Sequence, residues 1–513
     1  MMDKKPATSA VVITGADLPT DMATARSLKR LHVELVGLYK NKKSVFVRSR
    51  FWDRLIYLGE KAEPGQYMET LRQLGRSASR PIVLFPTQDE IVQLVSDHRE
   101  ELSRWFKFVL PAKETVDTFL DKTKFHPWAV ARGFSVPPSC LVSSRKELES
   151  ALNSLGYPVI LKPLYKTVEW ERHGRQKAYR LNSRLDFETI GFDLFQDAPR
   201  FIVQRWIEGG DANVHFCLTC CSSHGEELGY YTGKKLLQWP IGTGSTAICV
   251  GTENEKVRVL TREIFQAGQF RGLGSVEFKY SSKEHKYYVT EPTVGRPNLQ
   301  SYVATAGGVN LIEMAYWNAL DEIPRKIHTR RKAIWLDEQF ARRSVSEMTE
   351  CRILLFKEIL RAIFGGAVLS FAYFRIVDPL PFATWCRESV FKLFRKYRYE
   401  ATIRELATKD IEPNVPPGAL FILVDKGLGL KIGGHRRSVP FPERDGKWAG
   451  YPADDAAAIA ELERLRSAGV QFMIFPAPMF YWLDVYPELK NRLLTQCRCV
   501  VNNDRALIYD LRS

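Results

Sequence analysis

Two carboxylates lie at the ends of a segment with the pattern of a β-hairpin. Glu277 falls within Ser275–Tyr280 and Glu291 within Lys286–Pro292, and both runs alternate apolar with polar residues as half-buried strands do. The polar stretch 281–285 between them is a good turn. Adjacent carboxylates repel each other and require a cation, and hard oxygen ligands suit a Mg²⁺ ion that carries a nucleotide phosphate. Two exposed acids at strand ends are the alternative.

Further motifs occur in a distinctive order along the chain. They are Asp121–Phe125, Gly133–Pro138, Gly156–Pro163, Phe201–Gly209, Glu291–Gln300 and Ala306–Leu311. With these motifs in this order, the chain resembles the ATP-grasp superfamily over roughly residues 115–315. The Glu-Pro-Thr-Val-Gly-Arg form of the last nucleotide-binding motif is similar to that of ligases associated with surface polysaccharides.

Two lysines are the expected phosphate contacts. Lys162 ends the apolar run 157–161, so its ammonium would project from a packed sheet into a cleft and neutralise phosphate charge. Lys122 would approach the same phosphates from the preceding segment. Taken singly, each lysine is better explained by an ammonium that reaches solvent from a strand end or loop. The order of the motifs favours phosphate.

The resemblance places the adenine against residues 201–207, which read as an edge strand or hinge. Backbone groups around Gln204 would bond the rim of the base, and Trp206 and Ile207 would wall it. Glu208, or an acid shortly after it such as Asp211, would hold the ribose hydroxyls.

Two loops complete the expected site. Residues 166–177, with one glycine and several basic side chains, fall where the superfamily has a flexible loop over the phosphates, although a charged surface loop has the same composition. Lys235 and the glycine loop 242–245 lie between the hinge and the acids. They are phosphate or substrate contacts, or they only shape a turn.

The chain departs from the superfamily at the third metal ligand. The usual asparagine two positions after the second acid is Thr293 here, whose hydroxyl can coordinate Mg²⁺, and Asn298 lies close enough downstream to replace it. The number of metal ions is therefore open, with Mn²⁺ as an alternative ion. Arg296 stands near the position of the superfamily's arginine, where it would stabilise the γ-phosphate and an acyl phosphate.

Composition is that of a large globular enzyme. The 513 residues predict about three domains, and 45% of them are hydrophobic. The net charge of +15 allows nucleic acid, an anionic membrane surface or acidic substrates as partners. Basic residues scatter, with modest clusters only at 324–332 and 391–398, which argues against nucleic acid.

Cysteine usage and the first residues predict a reducing cytoplasm. The nine cysteines show no disulfide framework, and Cys217-Leu-Thr-Cys220 lacks the second pair that a zinc site usually needs. The first residues lack the apolar core of a signal peptide. The apolar stretch 363–374 is too short to span a bilayer, but it could lie on a membrane surface, so peripheral contact stays open.

The predicted fold is α/β. An open α/β domain (1–110) precedes two α+β nucleotide-binding modules (111–320), followed by a helical connector (321–412) and a small α/β domain (416–513) suited to docking or substrate capture. Asp89 follows a strand of the first domain, as a substrate contact or a helix N-cap.

By resemblance, the chain is an ATP-grasp ligase that joins a small-molecule carboxylate to an amine through an acyl phosphate. A carboxylase, a kinase-like enzyme and a non-catalytic nucleotide-binding adaptor are the alternatives. The substrates and the oligomeric state do not follow from the sequence, because such contacts lie in variable loops.

Overall fold

The computed structural model describes residues 9–164, 167, 170, 178–189, 194–322, 331–347, 352–425, 437–444 and 446–512. Two compact units divide the chain: one takes positions 1–165 and 177–386, the other 166–176 and 387–513. The expected loop 166–177 lies outside the described residues apart from Thr167 and Trp170. Among the described helices, none is both long and apolar enough to cross a bilayer.

The first unit begins with a five-stranded parallel sheet. Its strand order is β3-β2-β1-β4-β5, so the direction of winding reverses between β1 and β4, where such sheets open a crevice. The elements are β1 (Val11–Ile13), α1 (Pro19–Leu28), β2 (Leu35–Tyr39), β3 (Arg54–Tyr57), α2 (Pro64–Ser77), β4 (Ile82–Phe85), α3 (Asp89–Asp97), α4 (Arg99–Leu102) and β5 (Phe106–Lys107).

A four-stranded antiparallel sheet follows, in the order β6-β9-β7-β8. Its elements are α5 (Lys113–Leu120), α6 (Lys122–Ala131), β6 (Ser139–Val142), α7 (Arg145–Leu155), β7 (Val159–Pro163), β8 (Tyr179–Leu181), α8 (Arg184–Thr189), α9 (Leu194–Asp197) and β9 (Phe201–Arg205). The sequence predicts an edge strand or a hinge over 201–207, and the edge strand is wrong, because β9 is paired on both sides with β6 and β7. Only the residues after Arg205 lie beyond these ladders.

The largest sheet has seven strands in the order β14-β13-β10-β11-β12-β15-β16. All neighbours are antiparallel except β15 and β16. The elements are β10 (Val214–Cys221), β11 (Glu227–Trp239), β12 (Ser245–Gly251), α10 (Glu255–Ala267), β13 (Gly272–Ser281), β14 (Lys286–Val294), α11 (Tyr302–Ala306), α12 (Leu311–Ala319), β15 (Ala333–Leu336), α13 (Glu338–Glu347), α14 (Arg352–Phe364) and β16 (Val368–Phe371).

The segment 321–412 is more than the predicted helical connector, because β15 and β16 extend this sheet. Ala333, Ile334 and Trp335 are buried, yet a four-residue apolar run does not stand out between helices in the sequence. The stretch 363–374, considered for membrane contact, supplies the end of α14 and the whole of β16, and no finding supports that contact.

The second unit is built on a five-stranded sheet in the order β18-β17-β21-β23-β22, beside the pair β19 and β20. Its core includes Phe421, Phe472 and Trp482. The elements, from the helix that joins the units, are α15 (Leu380–Leu406), α16 (Glu412–Asn414), β17 (Leu420–Leu423), β18 (Arg437–Pro440), β19 (Glu443–Arg444), β20 (Lys447–Trp448), α17 (Asp455–Ser467), β21 (Phe472–Pro476), α18 (Trp482–Val485), α19 (Pro487–Gln496), β22 (Arg498–Asn502) and β23 (Ala506–Asp510). The predicted α/β class is confirmed.

A buried arginine ties α1 to the chain that follows β16. The guanidinium of Arg26 donates hydrogen bonds to the carbonyls of residues 371–373 at 2.7 to 3.1 Å and lies 3.9 Å from the carboxylate of Asp378. Asp378 in turn accepts from the hydroxyl of Ser49 and the N–H of Arg50. Burial lowers the pKa of Arg26 to about 10, which still leaves it charged at neutral pH.

Replacement of this arginine should destabilise the first unit. Arg26→Met leaves the carbonyls of residues 371–373 without their guanidinium donor and removes the cation beside Asp378, at an expected cost of about 3 to 5 kcal/mol. Arg50→Met, which changes an exposed side chain, should cost less than about 0.5 kcal/mol. Urea unfolding gives the midpoint of each variant. Equal midpoints for Arg26→Met and Arg50→Met would show that the Arg26 contacts do not stabilise the first unit.

Candidate functional site

The two acids are direct partners across the β13–β14 hairpin. Glu277 pairs in register with Glu291, and a bulge follows between Glu277 and Phe278. The hairpin therefore brings both carboxylates to one place, as the alternating pattern of the two strands predicts. Side-chain exposure separates them, since Glu277 is 15% exposed and Glu291 is 53% exposed.

Each acid is contacted by a lysine. The ammonium of Lys235 lies 2.9 Å from Glu277, and that of Lys122 lies 3.3 Å from Glu291. The amide of Gln300 donates to the second oxygen of Glu277 at 3.0 Å. The charge of Glu291 raises the pKa of Lys122 above its usual value. The repulsion between the two carboxylates is thus balanced by two cations of the chain itself.

These groups line a cavity of about 570 Å³, a volume typical of a small-molecule site. The N-terminal sheet contributes the residues after β1 and β4, including Asp89. The glycine loop 242–245 forms another part of the wall. The expected site residues that the cavity brings together are Lys122, Lys162, Gln204, Trp206, Ile207, Lys235, Glu277, Glu291, Thr293, Arg296 and Asn298.

The apolar part of the cavity lies around Trp206 and Ile207, which directly follow β9. The guanidinium of Arg180 stacks over the indole of Trp206 at 4.5 Å from the ring centroid and lies 3.6 Å from Glu208. Flat apolar walls beside lysines suit a nucleotide, whose base is apolar on its faces and whose phosphates are anionic. Glu208 is outside the cavity lining, and its contact with ribose stays a prediction.

The expectation that Asp211 binds ribose is corrected. Its carboxylate is buried and accepts three hydrogen bonds, from the backbone N–H and the side-chain amide of Gln238 at 2.7 and 2.9 Å and from the N–H of Gly242 at 2.9 Å. A carboxylate held in this way anchors the turn after β11. The sequence could not reveal it, because the partners are about thirty positions away.

Lys279 is a site residue that the sequence did not predict, although it lies in the same strand as Glu277. On β13, two positions after Glu277, it lines the cavity and donates to the carbonyls of Gly209 and Gly210 at 2.7 and 2.8 Å. It therefore fixes the chain that follows Trp206 to the strand that carries the first acid. Burial lowers the pKa of Lys279 to about 8.

Arg296 and Asp89 form a bidentate ion pair at 2.6 and 3.0 Å. Burial alone would lower the pKa of Arg296, but the hydrogen bond and charge of Asp89 outweigh it and raise that pKa. The pair joins the N-terminal sheet to the chain after β14. Asp89 is the first residue of α3, and whether it contacts substrate stays a prediction.

The polar groups near the expected third metal ligand bind one another. The amide nitrogen of Asn298 donates to the hydroxyls of Ser275 and Thr293 at 2.8 and 3.4 Å, and its oxygen accepts from the N–H of Leu299 at 2.6 Å. Asn298 therefore braces Thr293, which argues against Asn298 as a metal ligand. Within the described residues, no group of three or more acidic, histidine or cysteine side chains could hold a metal. Two carboxylates still fit Mg²⁺, which commonly keeps waters and substrate phosphates as further ligands.

Comparison with solved structures identifies the fold. N5-carboxyaminoimidazole ribonucleotide synthetase, in its ADP complex, superimposes with a TM-score of 0.51 at 14% identity, covering 64% of this chain and 81% of that chain. Biotin carboxylase from Campylobacter jejuni, as a β-γ-ATP complex, gives 0.50 at 16% identity, covering 64% and 75%. The chain has the fold of the ATP-grasp superfamily. This confirms the resemblance, and the similarity to ATP-dependent ligases, D-aspartate ligase among them, confirms the prediction of an enzyme of that type.

Among curated proteins, this chain is similar to D-aspartate ligase of Enterococcus faecium (strain Aus0004), with 23% identity over 316 residues, 58% of this chain and 74% of the relative. It is 22% identical over 214 residues to the carbamoyl phosphate synthase large chain of Pyrococcus furiosus, of which it spans 19%. The chain matches no protein-family model.

Stability should rise with pH through the titration of Lys279. Because burial lowers the pKa of Lys279 from the ordinary 10.5 to about 8, the unfolded chain holds a proton between these pH values that the folded chain has lost. The unfolding midpoint in urea, compared with that of Lys279→Met, should therefore increase between about pH 8 and about pH 10.5. Lys283→Met, an exposed change in the same hairpin, is the control. If the difference in unfolding midpoint between the wild type and Lys279→Met stays constant across this pH range, the titration is not that of Lys279.

Proposed function

We propose that this chain is an ATP-dependent carboxylate–amine ligase that works through an acyl phosphate on Mg-ATP. The observation that carries the proposal is the hairpin acid pair, with each carboxylate contacted by a lysine at the wall of a cavity that holds further cations. Both members of each pair have an alternative partner in Mg-ATP. The carboxylates suit a divalent cation, and the lysines suit phosphate oxygens.

The nucleotide would lie along the cavity from Trp206 to the acids. Trp206 and Ile207 contact the faces of adenine, and polar groups near Gln204 bond its rim. Lys122 and Lys162 neutralise the α- and β-phosphates as point charges. Glu208 stays the candidate for the ribose hydroxyls.

The residues that would hold Mg²⁺ are Glu277 and Glu291, with the Thr293 hydroxyl as a further donor and Mn²⁺ as the alternative ion. When bound, the ion supplies charge neutralisation at the phosphates that are being separated. Because the ion would compete for Glu277, the contact of Lys235 with that carboxylate would weaken. The ammonium of Lys235 would then be available to an anionic substrate in the same cavity. Arg296, oriented by Asp89, would stabilise the γ-phosphate.

The proposed reaction has two steps. A carboxylate oxygen of the acid attacks the γ-phosphorus, the bond from that phosphorus to the β–γ bridging oxygen breaks, and ADP leaves. The amine nitrogen then attacks the acyl carbon, the bond from that carbon to the phosphate-bearing oxygen breaks, phosphate leaves, and the nitrogen loses a proton. Catalysis is positioning and charge neutralisation, so the chain needs no nucleophilic side chain.

An ADP-release screen tests the function. D-aspartate is the first acid to try because of the curated relative, followed by other amino acids and sugar acids, each with a panel of amines. Release that requires both an acid and an amine supports a ligase. Release with bicarbonate or with a hydroxyl compound alone indicates the carboxylase or kinase-like alternative, and nucleotide binding without release under any condition indicates the adaptor.

Loss of the second acid should abolish turnover without unfolding the chain. Glu291→Gln keeps the shape of a half-exposed side chain but removes a charged metal ligand, so Mg-dependent ADP production should fall by more than about 100-fold. Glu263→Gln, on the exposed face of α10, is the matched control and should retain activity. Normal turnover by Glu291→Gln would remove Glu291 from the metal site.

Loss of the strand-end lysine should weaken nucleotide binding. Lys162→Ala removes a charge-assisted hydrogen bond to phosphate, with an expected loss of about 1.5 to 3 kcal/mol in the binding free energy of ATP. Lys146→Ala, an exposed change on α7, should leave it unchanged. Calorimetry gives both dissociation constants, and equal values would mean that Lys162 makes no phosphate contact.

A further inference from the structure

A line of buried hydrogen bonds runs from the glycine loop to the first acid. Asp211 accepts from the N–H of Gly242 and from both donors of Gln238. The side-chain oxygen of Gln238 accepts from the ammonium of Lys235 at 3.3 Å, and the same ammonium donates to Glu277 at 2.9 Å. One end of the loop is thus fixed to Glu277 through three intermediate side chains, those of Asp211, Gln238 and Lys235.

A second line fixes the other end of the loop. The hydroxyl of Thr246 donates to the side-chain oxygen of Gln300 at 3.3 Å, and the amide nitrogen of Gln300 donates to Glu277 at 3.0 Å. Thr246 and Gln300 are almost completely buried. The two lines and the loop form a closed ring, so the position of the loop is set relative to Glu277 from both ends.

The loop presents donors to the cavity. Thr243, Gly244 and Ser245 all line it. Residues 241–243 form a hydrogen-bonded turn. Across the ranges that the structure describes, the N–H group of Thr243 and the hydroxyls of Thr243 and Ser245 make no hydrogen bond. A Cβ on Gly244 would lie 1.9 Å from the backbone of Trp239, so only glycine permits this close turn. Backbone N–H groups and hydroxyls beside an ammonium form a surface for an anion.

We propose that the loop Gly242–Ser245 binds the oxyanion of the acid substrate, first as carboxylate and then as acyl phosphate. Asp211, Gln238 and Gln300 are positioning residues that hold the loop at a set distance from Glu277. The inference rests on the proposed ligase function. The loop contains no acid, and Lys235 in the same cavity supplies positive charge, so the loop itself presents no negative charge to a carboxylate. A loop fixed to Glu277 keeps that carboxylate next to the γ-phosphate, which the first step of the reaction requires.

Calorimetry on the full chain tests the loop. The protein is saturated with Mg-ADP, and orthophosphate and D-aspartate are titrated separately as probes of the anion subsite. The double variant Thr243→Val with Ser245→Ala should weaken the binding of at least one probe by about tenfold or more, with the dissociation constant of Mg-ADP unchanged. Thr118→Val, which removes a hydroxyl on α5 outside the cavity, should change neither.

The positioning residues have their own readout. Gln238→Met breaks the ring between Asp211 and Lys235. It should weaken the binding of orthophosphate or D-aspartate and leave the dissociation constant of Mg-ADP unchanged, whereas general loosening of the fold would weaken the binding of Mg-ADP as well. Unchanged probe affinity in the loop variant, or no binding of either probe by the wild type, overturns the inference. If the loop variant lost affinity for Mg-ADP alone, the loop would be assigned to the nucleotide phosphates instead. Failure of the wild type to bind Mg-ADP would contradict the ligase function itself.

Discussion

The pairing of Glu277 with Glu291 across one hairpin is the constraint on which the site depends. Two carboxylates at neighbouring positions repel each other, and a slip of one residue in the register would send one of them to the opposite face of the sheet. Lys235 and Lys122 make the arrangement possible. The nearly buried pair of Lys235 with Glu277 must also offset its desolvation. An amide side chain adds one hydrogen bond to each charge, Gln238 to Lys235 and Gln300 to Glu277, which offsets part of that cost.

This charge balance connects parts of the first unit that are distant in sequence. Lys279, on the same strand as Glu277, binds the chain that follows Trp206. Arg296, which follows β14, pairs with Asp89 beside the N-terminal sheet. The cavity wall is therefore assembled from three sheets through charged contacts. Such contacts exchange partners readily when a polyanion and a divalent cation enter. Apolar packing offers no equivalent exchange, since it has no alternative partner in a nucleotide.

The sequence predicted what local pattern and motif order encode. Strand alternation placed Glu277 and Glu291 on one hairpin, and the apolar run before Lys162 placed that lysine at a strand end on the cavity wall. Errors arose where a residue's partner lies far along the chain. Asp211 is an acid at a position suited to a ribose ligand, but its three donors come from Gln238 at the end of β11 and from Gly242 in the turn that follows. β15 is too short for its pattern to reveal that it joins the largest sheet.

Threonine in place of the usual asparagine changes how a metal ion would be held. With the amide of Asn298 directed at the Thr293 hydroxyl, the described cavity offers two carboxylates and one hydroxyl, and both carboxylates already have a lysine partner. A divalent ion arriving alone would have to displace those lysines without giving them another anion. An ion that arrives with a triphosphate brings both the missing oxygen ligands and the anions that the lysines need. Metal and nucleotide should therefore bind with positive coupling, each raising the affinity for the other by the same factor.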